Sequence, residues 1–248
     1  MISAVVMALV GVGDIWLGGN WFLALLVVAG GAMLWELSRM LGADPGAAIG
    51  LGVAAAVALV AAAFMPGWGW ALLAVPPLAA AVAVTRDRAV CVVYGTAALL
   101  ATFALHGFRQ DQGMVWLIWL ILVVVTSDVA GYFVGRILGG PKFWPAVSPK
   151  KTWSGTIAGW VGAALVGLGF AELTQAGAGL ALLSALVAFA AQMGDIAESA
   201  IKRRAGVKDS SNLIPGHGGV LDRFDALMGA SLVMLVASVV AGLPEVRM

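Results

Sequence analysis

Long apolar runs, one after another along the whole chain, are the feature that most restricts how this sequence can fold. Of its 248 residues, 62% are hydrophobic and only 11% are charged, against about 25% charged in an average soluble domain. A soluble core could not bury so much alanine, valine and leucine, and the runs are long enough for membrane spans of roughly 20 residues. We therefore predict an all-α fold, a polytopic integral membrane helical bundle, rather than a large soluble α-protein.

Glycine, proline and charged residues divide the chain into about nine apolar segments. The predicted spans cover approximately residues 1–18, 20–38, 47–65, 68–85, 89–107, 114–138, 155–173, 178–201 and 219–243. Glycines spaced every four residues predict close helix packing within this set. These glycines are Gly131, Gly135 and Gly139 in or directly after the sixth span, and Gly155 and Gly159 in the seventh.

Basic residues are distributed unevenly between the two sides of the predicted membrane domain. The loops after even-numbered spans hold twelve of the fourteen Lys and Arg residues. These are Arg39, Arg86, Arg88, Arg136, Lys142, Lys150, Lys151, Lys202, Arg203, Arg204, Lys208 and Arg223. Because cytoplasmic loops carry an excess of Lys and Arg, we expect the even loops to face the cytoplasm.

The first polar cluster ends the eighth span. Asp195, Glu198, Ser199 and Lys202 follow at i, i+3, i+4 and i+7, and therefore share one helix face. Acidic side chains at that depth are costly unless they are paired, bound to a metal or facing water. The alternative is a buried pairing of Lys202 with Asp195 or Glu198 that only fixes helix packing, but a second polar cluster follows at once and favours a functional site.

That second cluster runs from Lys208 to Asp225. Its glycine-rich turn, 215–219, leads into the last span, so backbone N–H groups and the positive end of a helix dipole should suit a phosphate. Asp222 and Asp225 follow on adjacent turns and, together with Asp195, offer oxygen ligands to Mg²⁺. The surrounding Lys and Arg residues would neutralise phosphate charge.

A third polar feature spans two elements upstream. Asp128 lies within an apolar span and shares a helix face with Tyr132 and Gly135, and Lys150 and Lys151 form a basic turn before the next span. Attraction to lipid headgroups is the simpler explanation of the lysines. Because Asp128 is buried in the span and the turn lies on the side of the C-terminal clusters, we interpret them as substrate-binding.

Three other polar residues receive smaller roles. His217 could act as a general base, but a phosphate nucleophile is already ionised near pH 7, so we expect His217 to bind a phosphate or hold the turn. Glu36 and Glu172 occur at span ends without partners nearby in sequence, and we interpret both as interfacial.

At this point the motifs resemble those of a known family. The run Ser199-Ala-Ile-Lys202-Arg203, Lys208-Asp209, Pro215-Gly216-His217-Gly218-Gly219 and Asp222-Arg223-x-Asp225 closely resembles the signature of phosphatidate cytidylyltransferases. Gly194-Asp195-x₂-Glu198, Asp128-x₃-Tyr132-x₂-Gly135 and Ser148-Pro149-Lys150-Lys151-Thr152 are similar to that family's other recurrent pieces, in the same order. The resemblance covers roughly residues 126–226, and the N-terminal half fits only in hydropathy. Ser154 departs from the pattern, because many members carry an acidic residue there.

The resemblance implies transfer of the cytidylyl group of CTP to phosphatidic acid, giving CDP-diacylglycerol and pyrophosphate. It implies Mg²⁺, with a further cation left open, anchored by Asp195 and Asp222, with Asp128 and Asp225 as additional candidate ligands. It implies that Asp195, Asp222, Lys202 and Arg223 are catalytic. The implied substrate-binding residues are Lys150, Lys151, Ser199, Arg203, Lys208, Asp209, Gly216, His217, Gly218 and Gly219.

The resemblance also sets expectations for organisation and partners. We expect a single transmembrane domain, 1–248, in which 1–107 is mainly scaffold and 114–243 carries the catalytic helices and cytoplasmic loops. The expected partners are CTP, phosphatidic acid and membrane lipids, without nucleic acid, and a homo-oligomer is left open. We expect a bacterial inner membrane with the active site on its cytoplasmic face.

Three competing functions fit the sequence less well. A CDP-alcohol phosphotransferase would carry an Asp-Gly-x₂-Ala-Arg segment, which is absent. A CTP-dependent polyprenol kinase is closer in chemistry, but the Pro-Gly-His-Gly-Gly turn argues against it. A secondary transporter would place polar residues near the midplane of two related halves, whereas residues 1–107 have almost no candidate site.

Overall fold

The computed structural model describes residues 2–65, 67–174 and 176–240, and this part of the chain contains nine α-helices. They are α1 (Ile2–Leu17), α2 (Gly19–Met40), α3 (Pro45–Phe64), α4 (Val75–Ala83), α5 (Arg88–Asp111), α6 (Gly113–Leu138), α7 (Trp153–Thr174), α8 (Gly179–Ala205) and α9 (Leu221–Val240). A 3₁₀ helix, Trp68–Ala74, precedes α4. Strands β1 (Lys142–Trp144) and β2 (Ser148–Thr152) form an antiparallel hairpin between α6 and α7.

Six helices in the described part of the chain, α2, α3, α5, α6, α7 and α8, are long and apolar enough to cross a membrane. The prediction of an all-α integral membrane protein is therefore confirmed, and each predicted span coincides with a helical segment. The fourth span differs most, since 68–85 is a 3₁₀ helix followed by the nine-residue α4. Pro76 and Pro77 account for this break, because proline has no N–H to continue a preceding helix.

The described residues form two compact units. The first comprises Met1–Gln110 and Ile201–Phe224, and the second comprises Asp111–Ala200 and Asp225–Met248. The single domain expected from the sequence stays a prediction. The predicted ends of the first and last spans, at residues 1 and 243, lie outside the described residues.

In the second unit, glycines let α6 and α7 approach each other closely, as predicted. A Cβ atom added to Gly155 would collide with the carbonyl oxygen of Gly131, and one on Gly135 would lie 2.8 Å from Thr152 Oγ1. Gly139 does not share this role, and its assignment to helix packing is wrong. It follows the last residue of α6 with φ +61°, in open space, because a positive φ lets glycine end a helix.

We expect Gly155→Ala to lower the apparent melting temperature of the protein in detergent by several degrees. The added methyl group must push two backbones apart, and overpacking of this kind costs about 1–3 kcal/mol. Gly169→Ala in the same helix is the matched control, because a Cβ there meets nothing within 4 Å. Equal melting temperatures for the two variants would contradict the close α6–α7 contact.

Candidate active site

In the first unit, the loop between α8 and α9 (residues 206–220, the α8–α9 loop) is organised around the carboxylate of Asp222. Its Oδ1 accepts a hydrogen bond from Lys202 Nζ at 2.5 Å. Its Oδ2 accepts from Ser210 N, Ser210 Oγ and Gly219 N, each at 2.8 Å. Lys202 is only 8% exposed, so the ion pair is largely removed from water. Both ends of the loop are thereby held to the first turn of α9.

Glu36 of α2 completes this network and is 0% exposed. Its Oε1 accepts from Ser211 Oγ at 2.6 Å and from Val220 N at 2.9 Å. Its Oε2 accepts from Leu221 N at 2.7 Å and from Ser210 Oγ at 3.2 Å. The interpretation of Glu36 as interfacial is therefore wrong. Its partners lie 174 to 185 positions away, beyond the reach of any local pattern, and the only signal was an acid ending an apolar helix.

The N-terminus of α9 is consequently occupied by the protein's own carboxylates. Sequence reasoning expected its N–H groups to point at a phosphate, but Gly219 donates to Asp222, while Val220 and Leu221 donate to Glu36. A helix N-terminus stabilises negative charge of any origin, and two side chains supply it here. Three basic side chains of this unit that were predicted to bind phosphate, Arg203, Lys208 and Arg223, are exposed, and their role stays a prediction.

The glycine-rich turn has a defined geometry of its own. The N–H of Ile214 donates to the carbonyl oxygen of Gly218 at 2.8 Å, and Gly216 and Gly218 have φ values of +77° and +81°. Arg223 Nε donates to the carbonyl oxygen of His217 at 2.9 Å, which ties the turn to α9. The ring Nδ1 of His217 lies 3.4 Å from the carbonyl oxygen of the second residue before it. The predicted role of the His217 side chain, to bind a phosphate or hold the turn, stays a prediction.

The second unit contains a cavity of about 660 Å³ between α6, the hairpin and α7. That volume falls in the usual range for small-molecule sites, about 300–1,000 Å³. Its lining includes the basic side chains Arg136, Lys142, Lys150 and Lys151, together with Asp128 and Tyr132. The predicted Lys150–Lys151 turn and Asp128 therefore line one cavity.

Ion pairing links the wall of this cavity to α8. Lys151 Nζ lies 2.5 Å from Asp195 Oδ2, and Ser199 Oγ donates to Asp195 Oδ1 at 3.2 Å. Asp128 lies within electrostatic range of both Lys151 and Asp195. The structure thus brings four of the predicted site residues of this unit together.

The hairpin that carries the lysines is a feature that sequence reasoning missed. Lys142 pairs with Thr152 across its strands, and this pairing places Lys142 in the cavity beside Lys150 and Lys151. The strands were hard to foresee because they are only three and five residues long, and Pro149 within β2 argues against a strand.

Polar side chains also tie the cavity to its surrounding helices. The buried Gln192 of α8 donates from Nε2 to Ser127 Oγ at 3.1 Å and to the carbonyl oxygen of Thr156 at 3.4 Å. Trp160 Nε1 donates to the Gln192 side-chain oxygen at 3.0 Å. A satisfied polar group fixes one arrangement of its neighbours more strictly than apolar packing does. Gln192 therefore links α6, α7 and α8 at the cavity.

The partners of each carboxylate show which of them suit a divalent cation. Among the described residues, no three Asp, Glu, His or Cys side chains form a metal-holding group, but Mg²⁺ needs only one or two carboxylates beside water and phosphate. Asp128 was expected to be buried, but it is exposed in the cavity, and Asp195 is 31% exposed with one partner on each oxygen. Both carboxylates therefore keep acceptor positions of the kind that Mg²⁺ uses.

Asp222 and Asp225 have closer protein partners. Asp222 already receives four donors, three on Oδ2 and one, from Lys202, on Oδ1. A cation bound by Asp222 would therefore have to share Oδ1 with the Lys202 ammonium group. Asp225 Oδ1 accepts from the N–H of the next residue at 2.7 Å. Asp195 and Asp222 belong to different units, and their joint metal site stays a prediction.

Comparison with known proteins identifies the family of this chain. A model of the cytidylyltransferase family matches residues 1–241. The chain belongs to that family. As a member of the cytidylyltransferase family, the protein is a nucleotidyltransferase, and the prediction of its enzyme class is confirmed. The match also includes the N-terminal half, which resembled the family only in hydropathy.

Several relatives of this cytidylyltransferase carry a more specific name. A phosphatidate cytidylyltransferase from Brucella suis biovar 1 is 33% identical over 275 residues, covering 99% of this chain and 94% of its own length. Phosphatidate cytidylyltransferases from Helicobacter pylori strain J99 and Staphylococcus haemolyticus are 46% and 36% identical over 132 and 145 residues. These two alignments cover 52% and 57% of this chain, and 49% and 55% of the relatives.

Proposed function

We propose that this protein transfers the cytidylyl group of CTP to phosphatidic acid, forming CDP-diacylglycerol and pyrophosphate. The observation that carries the proposal is the cavity in the second unit, where Lys142, Lys150 and Lys151 surround a space between helices able to span a membrane. Such a site suits a phosphate that is attached to a lipid. The names of the relatives support the same pair of substrates.

The chemistry needs positioning and charge stabilisation more than a base. An oxygen of the lipid phosphate forms a bond to the α-phosphorus of CTP, while the bond from that phosphorus to the oxygen bridging to the β-phosphate breaks. A phosphate monoester has a second pKa of about 6, so the attacking oxygen is already ionised near neutral pH. Lysine and arginine side chains stabilise the negative charge that grows on the leaving pyrophosphate.

We propose Mg²⁺ as the cofactor, held by Asp128 and Asp195 in the second unit. When bound there, it would supply a positive charge that neutralises the phosphate oxygens of the substrate. Lys151 already pairs with Asp195, and its ammonium group holds the carboxylate in place for the cation.

The proposed location follows from the substrates and the topology. CTP is a cytosolic nucleotide and phosphatidic acid is a membrane lipid, so the two meet at a cytoplasmic membrane surface. The excess of Lys and Arg in the even-numbered loops supports that orientation. We propose the inner membrane of a bacterium, with the active site on its cytoplasmic face.

Two differently labelled CTP samples test the reaction. With purified protein, phosphatidic acid vesicles and Mg²⁺, we expect label from the α-phosphorus to enter the lipid and label from the γ-phosphorus to leave as pyrophosphate. Chelating the divalent cation should abolish both products. Lipid carrying the γ-label would indicate a kinase and overturn the proposal. Lipid that stays unlabelled with both samples would overturn it too.

A further inference from the structure

Glu36 stands apart from the other acidic residues because its carboxylate is fully buried and fully hydrogen-bonded. Two donors reach each oxygen, and an ionised carboxylate only accepts hydrogen bonds, at about four positions. Two of the donors are serine hydroxyl groups of the α8–α9 loop, and the other two are the backbone N–H groups where this loop joins α9. Glu36 therefore joins both ends of this loop to α2.

A single hydroxyl group connects Glu36 to Asp222. Ser210 Oγ lies 3.2 Å from Glu36 Oε2 and 2.8 Å from Asp222 Oδ2, so its one proton is shared between the two carboxylates. Asp222 in turn pairs with Lys202. A displacement of Glu36 must therefore move the donors that hold Asp222.

Glu36 and Ser210 pack closely against the backbone of Gly219. A Cβ atom on Gly219 would collide with both Ser210 Oγ and Glu36 Oε1. The second glycine of the Gly-Gly pair is thus needed because Glu36 approaches the backbone so closely. This packing gives a structural reason for a residue that the sequence motif linked to phosphate.

We propose that Glu36 is a positioning residue of this enzyme, which fixes the α8–α9 loop and thereby sets the places of Lys202 and Asp222. The proposal rests on the proposed function, because it assigns Glu36 to the same reaction. A positioning residue of this kind need not touch the substrate. It acts through Ser210, Ser211 and the first N–H groups of α9.

The test uses full-length Glu36→Gln and Ser211→Ala, alone and combined, with Glu172→Gln as the matched control at the exposed end of α7. Glutamine keeps the size of Glu36, but its NH₂ group faces N–H and O–H donors instead of accepting from them. We expect kcat of Glu36→Gln to fall by about 10- to 100-fold, the range that small misplacements produce. The control should keep the wild-type kcat.

Two further readouts separate positioning from a general loss of stability. Amide hydrogen exchange should become faster in residues 206–221 of Glu36→Gln, while exchange in α3 and α5 stays at the wild-type rate. Ser211 Oγ donates to Glu36 and also accepts from Leu213 N. The double variant should therefore be slower than Glu36→Gln alone by less than the full effect of Ser211→Ala, a non-additive result typical of residues in one network.

Several outcomes would overturn the proposal. They are a wild-type kcat in Glu36→Gln, unchanged exchange in the loop, or multiplicative effects of the two substitutions. If Glu36→Gln does not fold, the Ser211→Ala variant alone tests the proposal. Wild-type kcat and wild-type hydrogen exchange in Ser211→Ala would then reject the positioning role of Glu36. If the intact protein makes no CDP-diacylglycerol, the proposed function fails, while the exchange measurements still decide whether Glu36 holds the loop.

Discussion

Asp222→Asn is expected to reduce CDP-diacylglycerol formation by about a hundredfold or more, as losses of charge-stabilising groups in active sites do. The substitution removes the negative charge of Asp222 that pairs with Lys202, in a place where the two side chains are only 10% and 5% exposed. Breaking a buried pair in this way costs about 3–5 kcal/mol. The substitution also weakens the hydrogen bonds that the Asp222 side chain accepts from Ser210 and Gly219. Initial rates with labelled CTP in vesicles measure the effect.

A double variant separates the catalytic part of this effect from the structural part. Lys202→Met combined with Asp222→Asn removes both charges, so the apparent melting temperature should recover toward the wild-type value while activity stays low. Asp111→Asn, at the exposed end of α5, controls for the loss of a carboxylate elsewhere. Near-wild-type activity in the double variant would show that the ion pair has no part in the reaction.

Lys151→Met is expected to lower kcat/KM for phosphatidic acid by about 10²-fold, the scale of losing one well-placed charged contact to a reacting group. Lys151 lines the cavity and pairs with Asp195. Its loss therefore removes a phosphate-binding cation and leaves Asp128 and Asp195 in each other's field without compensation. Steady-state kinetics with the lipid concentration varied at saturating CTP measure this quantity.

Two further variants test whether the Lys151→Met result comes from the loss of positive charge at this position. Lys151→Arg keeps the positive charge and should retain more activity than the methionine variant. Arg88→Gln removes an exposed charge at the start of α5 and should leave kcat/KM unchanged. If methionine and arginine at position 151 reduced kcat/KM equally, the shape of the side chain would matter more than its charge, and the phosphate-binding role would be wrong.

The helices of this protein were predictable because one physical requirement dominates the sequence. A membrane demands long apolar segments, and even the boundaries near Gly18 and Gly139 coincide with predicted ends. The motifs from Lys202 to Asp225 were also recognisable, since charge is costly beside apolar spans. Family membership and enzyme class follow from these two signals, and both are confirmed.

The remaining features depend on contacts between distant parts of the chain. The hydropathy of α2 gave no indication that Glu36 binds the start of α9, because its four donors lie far away in sequence. For the same reason, the N–H groups of Val220 and Leu221 looked available to a phosphate although Glu36 accepts from them. A local pattern identifies which groups need a partner, and only the tertiary structure shows which partner they have.

Burial of Glu36 has a consequence for how the protein is made. α2 is synthesised 174 positions before Ser210, and at about 5–20 residues per second the interval is roughly 10 to 35 s. During that time α2 carries a carboxyl group whose eventual partners have not left the ribosome. The nascent chain must keep this group in water at the membrane surface, because an unpaired acid is costly in apolar surroundings. The final packing of α2 is therefore a late event in biogenesis, which is completed only after the α8–α9 loop has been synthesised.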